Sequence, residues 1–570
     1  MNPLRLIFAL SLLLGAGIAN AQWISTNYVL KGGWNSIYLS GDAKQDTFAN
    51  LFPSEVLEVW RWNPNPNQVG FLTSPLVPAA GTPEWSVWKR DGSVASLSTL
   101  IGQSAYLVRC SGTTANSYSF TLKQSPSPPA NSWVRNGANF LGFPSKSTGG
   151  TYPTMANYFA TFPAAIAANS KIFKYVGGDL GPANPVQVFS ANSERLEANQ
   201  GYWFSAEVVG NFNAPLEISL SSGDSLDFGR NGAVITARLY NRSSSIVTIA
   251  VAPVASAAAP SSQETVAAAV PVTQRIFDPG TASWTETLIG AGGITQVIAP
   301  RATVELSFGI SRPAMTASAG SLYASFLRFT DSANLTDMLL PVRARASSFA
   351  GLWVGDALVG KVESKPDSDQ VTPTSSSYPL RYIIHVDDSG NARILSQVLL
   401  GQLAATGNAS GICTKEAGLL STAKAKATRI VAAHFPLDRV LDGGNGSGSV
   451  GNSTTLTRTI SIPFNDPTNP FVHKYHPDHD NKSASGTALD AGQESHSISR
   501  ELTFTFTSSP PAGSSSSTGW GSSVIGGTYA ETVQGLSRDS TGVGNGDGIH
   551  LTGTFELRRI SELGSITVSP

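Results

Sequence analysis

Apolar residues recur at every second position over much of this chain, the period of a strand with one buried face. Leu380, Tyr382, Ile384 and Val386 alternate with Arg381, Ile383 and His385. Asp388-Ser389-Gly390-Asn391 then supplies turn residues leading back into Arg393–Leu399, so a hairpin is expected. Leu502, Phe504 and Phe506 alternate with Thr503 and Thr505, while Phe555 and Leu557 alternate with Glu556 and Arg558. These runs predict an antiparallel sheet solvated on one side. A helix is expected over about Lys415–Ala433, an Ala- and Lys-rich stretch that stops near Pro436.

The pattern repeats itself between residues 23 and 210. Gly33-Trp34-Asn35-Ser36-Ile37-Tyr38-Leu39 is answered by Gly137-Ala138-Asn139-Phe140-Leu141-Gly142-Phe143. Phe48-Ala49-Asn50-Leu51-Phe52-Pro53 is answered by Tyr158-Phe159-Ala160-Thr161-Phe162-Pro163, and Val59-Trp60-Arg61-Trp62 by Ile172-Phe173-Lys174-Tyr175. Ala105-Tyr106-Leu107-Val108 is answered by Gly201-Tyr202-Trp203-Phe204. Each copy predicts a strand, a short helical turn ended by Pro, an aromatic strand, a loop and a closing strand. The four blocks resemble the "GWN…GYW" β-modules of bacterial surface and secreted proteins.

From Asn213 to Ser347 the chain turns to short alternating runs separated by Ser, Ala and Gly, which suits a sandwich. Ser225-Leu226-Asp227-Phe228-Gly229, Val234–Asn241 and Ser245–Ile249 resemble the immunoglobulin-like modules of the choice-of-anchor D type. That resemblance implies a structural or adhesive spacer. Ser321–Phe329 and Met338–Val342 are its expected later strands, and Ala255–Ala269 an irregular insertion. Gly351-Leu352-Trp353 opens the last domain as Gly-x-Trp opens a lipocalin, so a barrel is one form that sheet would take.

The expected fold is therefore mainly β and multi-domain, with one helix. Its parts are a leader over 1–21, two related β-modules over 22–125 and 126–212, an immunoglobulin-like β-sandwich over 213–347, and a C-terminal antiparallel β domain over 348–570. At about 150 residues per domain, 570 residues agree with several cores.

Charge adds a constraint. Only 14% of residues are charged, against about 25% in an average soluble protein, and the net charge is -1. Nothing global attracts a phosphate backbone, so nucleic acid is not an expected partner. Arg5, the apolar run Leu6–Ile18 and Ala19-Asn20-Ala21 read as a secretory leader cleaved near Ala21. A secreted or outer-surface location follows, with no membrane-spanning segment expected in the mature chain. The two cysteines, Cys110 and Cys413, fall in different expected domains; two buried thiols are the ordinary reading and a disulfide the other.

Chemistry concentrates in Asn465–Asn481. His473, His476 and His479, with Asp478 or Asp480, carry the imidazole and carboxylate set that a divalent metal such as zinc takes. Pro470 and Pro477 forbid one continuous helix there, so a rigid loop with packed histidines is the more ordinary reading. The segment resembles one found in secreted proteins of environmental bacteria. Gly542–His550 resembles half of a calcium-binding nonapeptide repeat, although Asn-Gly and Asp-Gly also make plain hairpin loops. Gly446–Gly451 matches G-x-G-x-x-G by letter only, and no G-x-S-x-G, H-E-x-x-H or P-loop motif occurs. Eight of eleven tryptophans lie between Trp23 and Trp203; core filling explains the alternation of Trp60 with Trp62 and of Phe173 with Tyr175 more simply than a sugar platform. The resulting expectation is a structural or adhesion-type protein without an identified activity, in contact with an extracellular glycan or envelope protein. A carbohydrate- or metal-binding module is the alternative, and an extracellular hydrolase ranks behind it.

Overall fold

The computed structural model describes residues 22–64, 78–364, 371–404, 427–434, 446–463, 498–512, 518–534 and 549–565, without 136, 222, 262 and 396 and with 485, 487 and 514. Strands make up 51% of the described residues and helical turns 4%, in several sheets. The chain forms two compact units, one of residues 1–310 with 317–346 and the other of 311–316 with 347–570.

In the first unit two four-stranded antiparallel sheets share one strand order. In one, Gly33–Leu39, Ser104–Cys110, Val56–Trp62 and Trp85–Lys89 lie side by side; in the other, Ala138–Leu141, Tyr202–Ser205, Lys171–Lys174 and Val186–Gln187 do. Each sheet thus runs first, last, second, third. The intervening turns are the short helices Phe48–Leu51 and Met155–Tyr158, each followed by a proline, at Pro53 and Pro163. A shared aromatic core joins the two sheets: Trp34, Trp60, Trp62 and Trp85 from one, Phe140, Phe173, Tyr175 and Trp203 from the other. Trp203 stacks on Phe140 at 4.7 Å and meets Trp62 edge-on at 5.2 Å. The opposite face of the first sheet packs on a three-stranded sheet of Ile24–Lys31, Ser117–Pro126 and Gly41–Ala43, burying Tyr28, Leu30, Ile37 and Leu39. All seven residues of Gly33–Leu39 are buried as a result. A strand covered on both faces shows no polar alternation, and its two polar residues, Asn35 and Ser36, are buried and hydrogen-bonded to backbone.

The same unit contains a further pair of sheets, one of five strands and one of six. One orders Leu216–Leu220, Val234–Asn241, Thr303–Ile310, Val272–Asp278 and Ser283–Leu288; the other orders Leu226–Asp227, Asp337–Arg345, Leu322–Asp331, Val247–Ala255 and Ile294–Ile298. Asn241 closes its strand for a physical reason: its buried amide donates to the carbonyls of Ser245, Ile298 and Ala299 and accepts from Ser243 N. The stretch expected to be an irregular insertion is irregular over most of its length, but Val266–Ala268 is a strand parallel to Leu322–Asp331.

The second unit is an eight-stranded antiparallel sheet. Its order is Ala392–Ile394, Val371–Val386, Gly351–Ser364, Ile549–Ser561, Val524–Gln534, Ile498–Phe506, Thr455–Ile462 and Ser447–Gly448. The sheet curls until its outer strands meet, where the Gly446 amide donates to the Ala392 carbonyl at 2.9 Å. Trp353, Tyr382, Leu502, Phe504, Tyr529, Phe555 and Leu557 fill the inside. The helix expected over Lys415–Ala433 is not helical where it is described: Ala427–His434 is a strand paired with Gln397–Ala404. Helix propensity is a weak preference, and cross-strand pairing overrides it here. Residues 415–426 lie outside the described residues.

Candidate functional site

The expected metal ligands His473, His476, His479, Asp478 and Asp480 lie outside the described residues, as do Gly542–Gly548 and Cys413. Among the described residues no group of three or more His, Cys, Asp and Glu side chains is placed to hold a metal ion. Cys110 is a buried core thiol whose pKa is pushed up to about 12 by burial, which disfavours the thiolate. Of the eight N-terminal tryptophans, Trp23, Trp34, Trp60, Trp62, Trp85 and Trp203 are buried and Trp88 and Trp133 half-buried, as core filling requires.

One tryptophan stands apart. Trp284 is 43% exposed and sits directly across from Phe277, 46% exposed, on the hairpin of Val272–Asp278 and Ser283–Leu288 at the edge of the five-stranded sheet. Their ring centroids are 5.1 Å apart at 56°. The Arg275 guanidinium lies over the Trp284 ring at 4.1 Å, within the range of a cation–π contact. Asp278-Pro279-Gly280 turns the hairpin, with Asp278 accepting from the Gly280 amide at 2.8 Å. The period of two then places Arg275 and Phe277, with Trp284 and Glu286, on the outward face.

That face continues across the sheet as a ladder of polar pairs. Arg275 faces Glu286 at 3.6 Å, Thr236 meets Ser307 at 3.2 Å, Arg238 meets Glu305 at 2.8 Å and Arg242 meets Glu217 at 2.7 Å. Every arginine in this row has its carboxylate, so the face carries no net charge. Glu286 also accepts from the Thr273 hydroxyl at 3.2 Å and leans over Gly309, where an added Cβ would lie 3.0 Å from its carboxylate. Half-burial raises the pKa of Glu286, opposed by Thr273 and Arg275.

The barrel interior holds a second polar cluster. Arg500 Nε donates to Glu531 at 2.5 Å, Tyr529 donates to the other Glu531 oxygen, the Tyr529 and Tyr382 hydroxyls are 2.6 Å apart, and Arg500 Nη2 donates to Tyr382 at 3.4 Å. All four side chains are buried. Burial raises both phenol pKa values, and Glu531 keeps Arg500 cationic against its own desolvation. The ring is electrically closed, with one cation, one anion and two neutral phenols. Its packed surroundings fit a structural lock better than a reaction site.

On the outer surface of this sheet, Asp356, Arg381, Glu556, Arg558 and Ser514 line a groove of about 400 Å³. Arg381 grips Asp356 with two nitrogens, while Glu556 accepts from Ser514 at 2.7 Å and Arg558 at 3.0 Å. Each carboxylate there is already neutralised by its arginine.

Sequence reasoning did not single out Arg275, Phe277, Trp284 or Glu286. The signal was present: Asp278-Pro279-Gly280 separates Phe277 from the nearest tryptophan between Trp203 and Trp353.

No family model and no curated protein matches the chain. Among solved structures the similarities are distant. The PapD-like domain of human CEP192 is 10% identical, covering 25% of this chain and 94% of its own, with a TM-score of 0.14. The class 5 fimbriae chaperone CfaA is 12% identical, covering 31% and 98%, with a TM-score of 0.13. A DUF4466 family protein from Parabacteroides merdae is 8% identical, covering 60% and 99%, with a TM-score of 0.15.

Proposed function

We propose that this chain is an exported structural or adhesion-type β protein, carried outside the cell by a leader ending near Ala21 and making its contact through the outer face of the immunoglobulin-like sandwich. The observation that carries the reading is the exposed pair Phe277 and Trp284 at the sheet edge, in a unit that buries most of its other large aromatics. Aromatic rings are enriched where proteins meet partners, because they offer large rigid contact area with little side-chain entropy to lose. The like strand order of the two four-stranded sheets supports reading 22–125 and 126–212 as related modules that carry the sandwich.

The test is retention of labelled mature protein on bacterial envelopes and on extracellular matrix. The wild type is expected to be retained, and the Phe277→Ser/Trp284→Ser variant to wash through while keeping its melting temperature. Equal retention of the two proteins would overturn the reading.

A further inference from the structure

We propose that the outer face of the five-stranded sheet is a binding site for a neutral polysaccharide, with Trp284 as its stacking platform and Glu286 and Arg275 as the hydroxyl-binding pair beside it. This rests on the adhesion reading above and names what the face adheres to.

Three observations converge on that class of ligand. The Trp284 ring is 43% exposed, with the Phe277 ring tilted beside it at 5.1 Å and the Arg275 guanidinium over it at 4.1 Å. A preset ring loses little freedom when an apolar surface lands on it. The C–H face of a pyranose is such a surface, flat and of similar size. Next to the ring stand donors and acceptors in equal supply: Arg275 with Glu286 at 3.6 Å, then Thr236 with Ser307 at 3.2 Å and Arg238 with Glu305 at 2.8 Å on the neighbouring strands. A polyol needs both kinds of group at once, since each hydroxyl donates one hydrogen bond and accepts others.

The charge balance narrows the choice. With each guanidinium matched by a carboxylate, the row offers no uncompensated cation for a sulfated or uronic sugar, nor an uncompensated anion for a basic peptide. A neutral chain is the ligand such a face complements. Adjacent strands are spaced about 4.8 Å apart, so the row from Trp284 to Arg238 spans several strands and accommodates more than one sugar ring. Gly309 keeps the floor beside Glu286 free of a side chain, and an alanine there would put its methyl 2.7 Å from Thr273 Oγ1 and 3.0 Å from Glu286.

Affinity electrophoresis of the full mature chain through gels containing xylan, starch, laminarin or hydroxyethyl-cellulose tests this. At least one of the four is expected to retard the wild type. Trp284→Ala should weaken that binding about tenfold or more, the loss typical of truncating a buried aromatic anchor. Trp284→Phe should keep part of it, and Glu286→Gln should weaken it several-fold while leaving the melting temperature within a degree or two. Retardation by none of the four, or the same retardation for Trp284→Ala as for wild type, overturns the proposal. Envelope retention separates its failure from that of the adhesion reading. If retention needs Trp284 but is abolished by protease treatment of the envelope and not by periodate, the partner is a protein; adhesion stands and the polysaccharide site falls. If the wild type is not retained at all, the adhesion reading falls with it.

Discussion

Asn35 and Asn139 occupy the same place in the two four-stranded sheets and make the same bonds. Asn35 accepts from the Lys31 amide and donates to the Lys31 and Gly33 carbonyls; Asn139 accepts from the Val134 amide and donates to the Val134 and Gly137 carbonyls. The side chain thus bonds backbone groups of the residues just upstream, at the bend that leads into the strand. Tyr106 and Tyr202 also correspond, each hydroxyl bridging the backbone just upstream: Tyr106 to Ile101 N and O, Tyr202 to Glu197 N and Arg195 O. Both residues could be picked from sequence as repeated letters, but their partners could not, because a hydrogen bond to the main chain leaves no mark on the partner's identity. Asn35→Ala strands three backbone groups and should cost about 2 kcal/mol in urea unfolding, with Asn139→Ala close to it. Cys110 supplies a second test. Burial disfavours its thiolate, raising the folded pKa to about 12, so at pH 8 the thiol is protonated and shielded. In a Cys413→Ser background, iodoacetamide at pH 8 should leave folded protein unlabelled and modify it fully in urea; the pKa shift also implies that stability falls as pH rises above about 8.5, where only the unfolded thiol ionises.

Period-two alternation locates the strands of the barrel, and it also locates the barrel's polar cluster. Arg500 shares its face with Leu502, Phe504 and Phe506, and Glu531 shares its face with Tyr529 and Val533, so the pattern puts two opposite charges on the apolar side. What the pattern hides is that the charges meet, because Arg500 is registered against Val533 and Leu502 against Glu531, and register is a long-range property. In the described end of the stretch expected to be helical the converse holds: Ala and Lys favour a helix locally, but over Ala427–His434 pairing with Gln397–Ala404 decides. The buried pair yields an asymmetric prediction. Arg500→Met leaves Glu531 charged and unmatched and should destabilise by about 3–5 kcal/mol, whereas Arg500→Met with Glu531→Leu should recover most of that loss or all of it. A double variant as unstable as the single one would show that the ring holds something beyond the charge balance.

Each of the two compact units has its own hydrophobic core, and the cores are built differently. The first unit holds several clusters, among them a stack of tryptophans shared by two small sheets, and the second the packed inside of a curled eight-stranded sheet. A core that is closed within its own unit can melt as its own cooperative event, because the packing that unfolding disrupts lies mostly inside that core. Scanning calorimetry of the full chain should therefore resolve more than one transition. Trp203→Ala removes the ring that stacks on Phe140 and meets Trp62 and Trp85, and should cost about 3–5 kcal/mol in the first unit. Arg500→Met acts in the second unit. At about 2–4 °C per kcal/mol for 150–250 residues, and less for the larger first unit, each substitution should move its own transition downward by a few degrees and leave the other in place. A single transition displaced by both variants would mean that the two cores melt as one, and the assignment of separate folding units would have to be withdrawn.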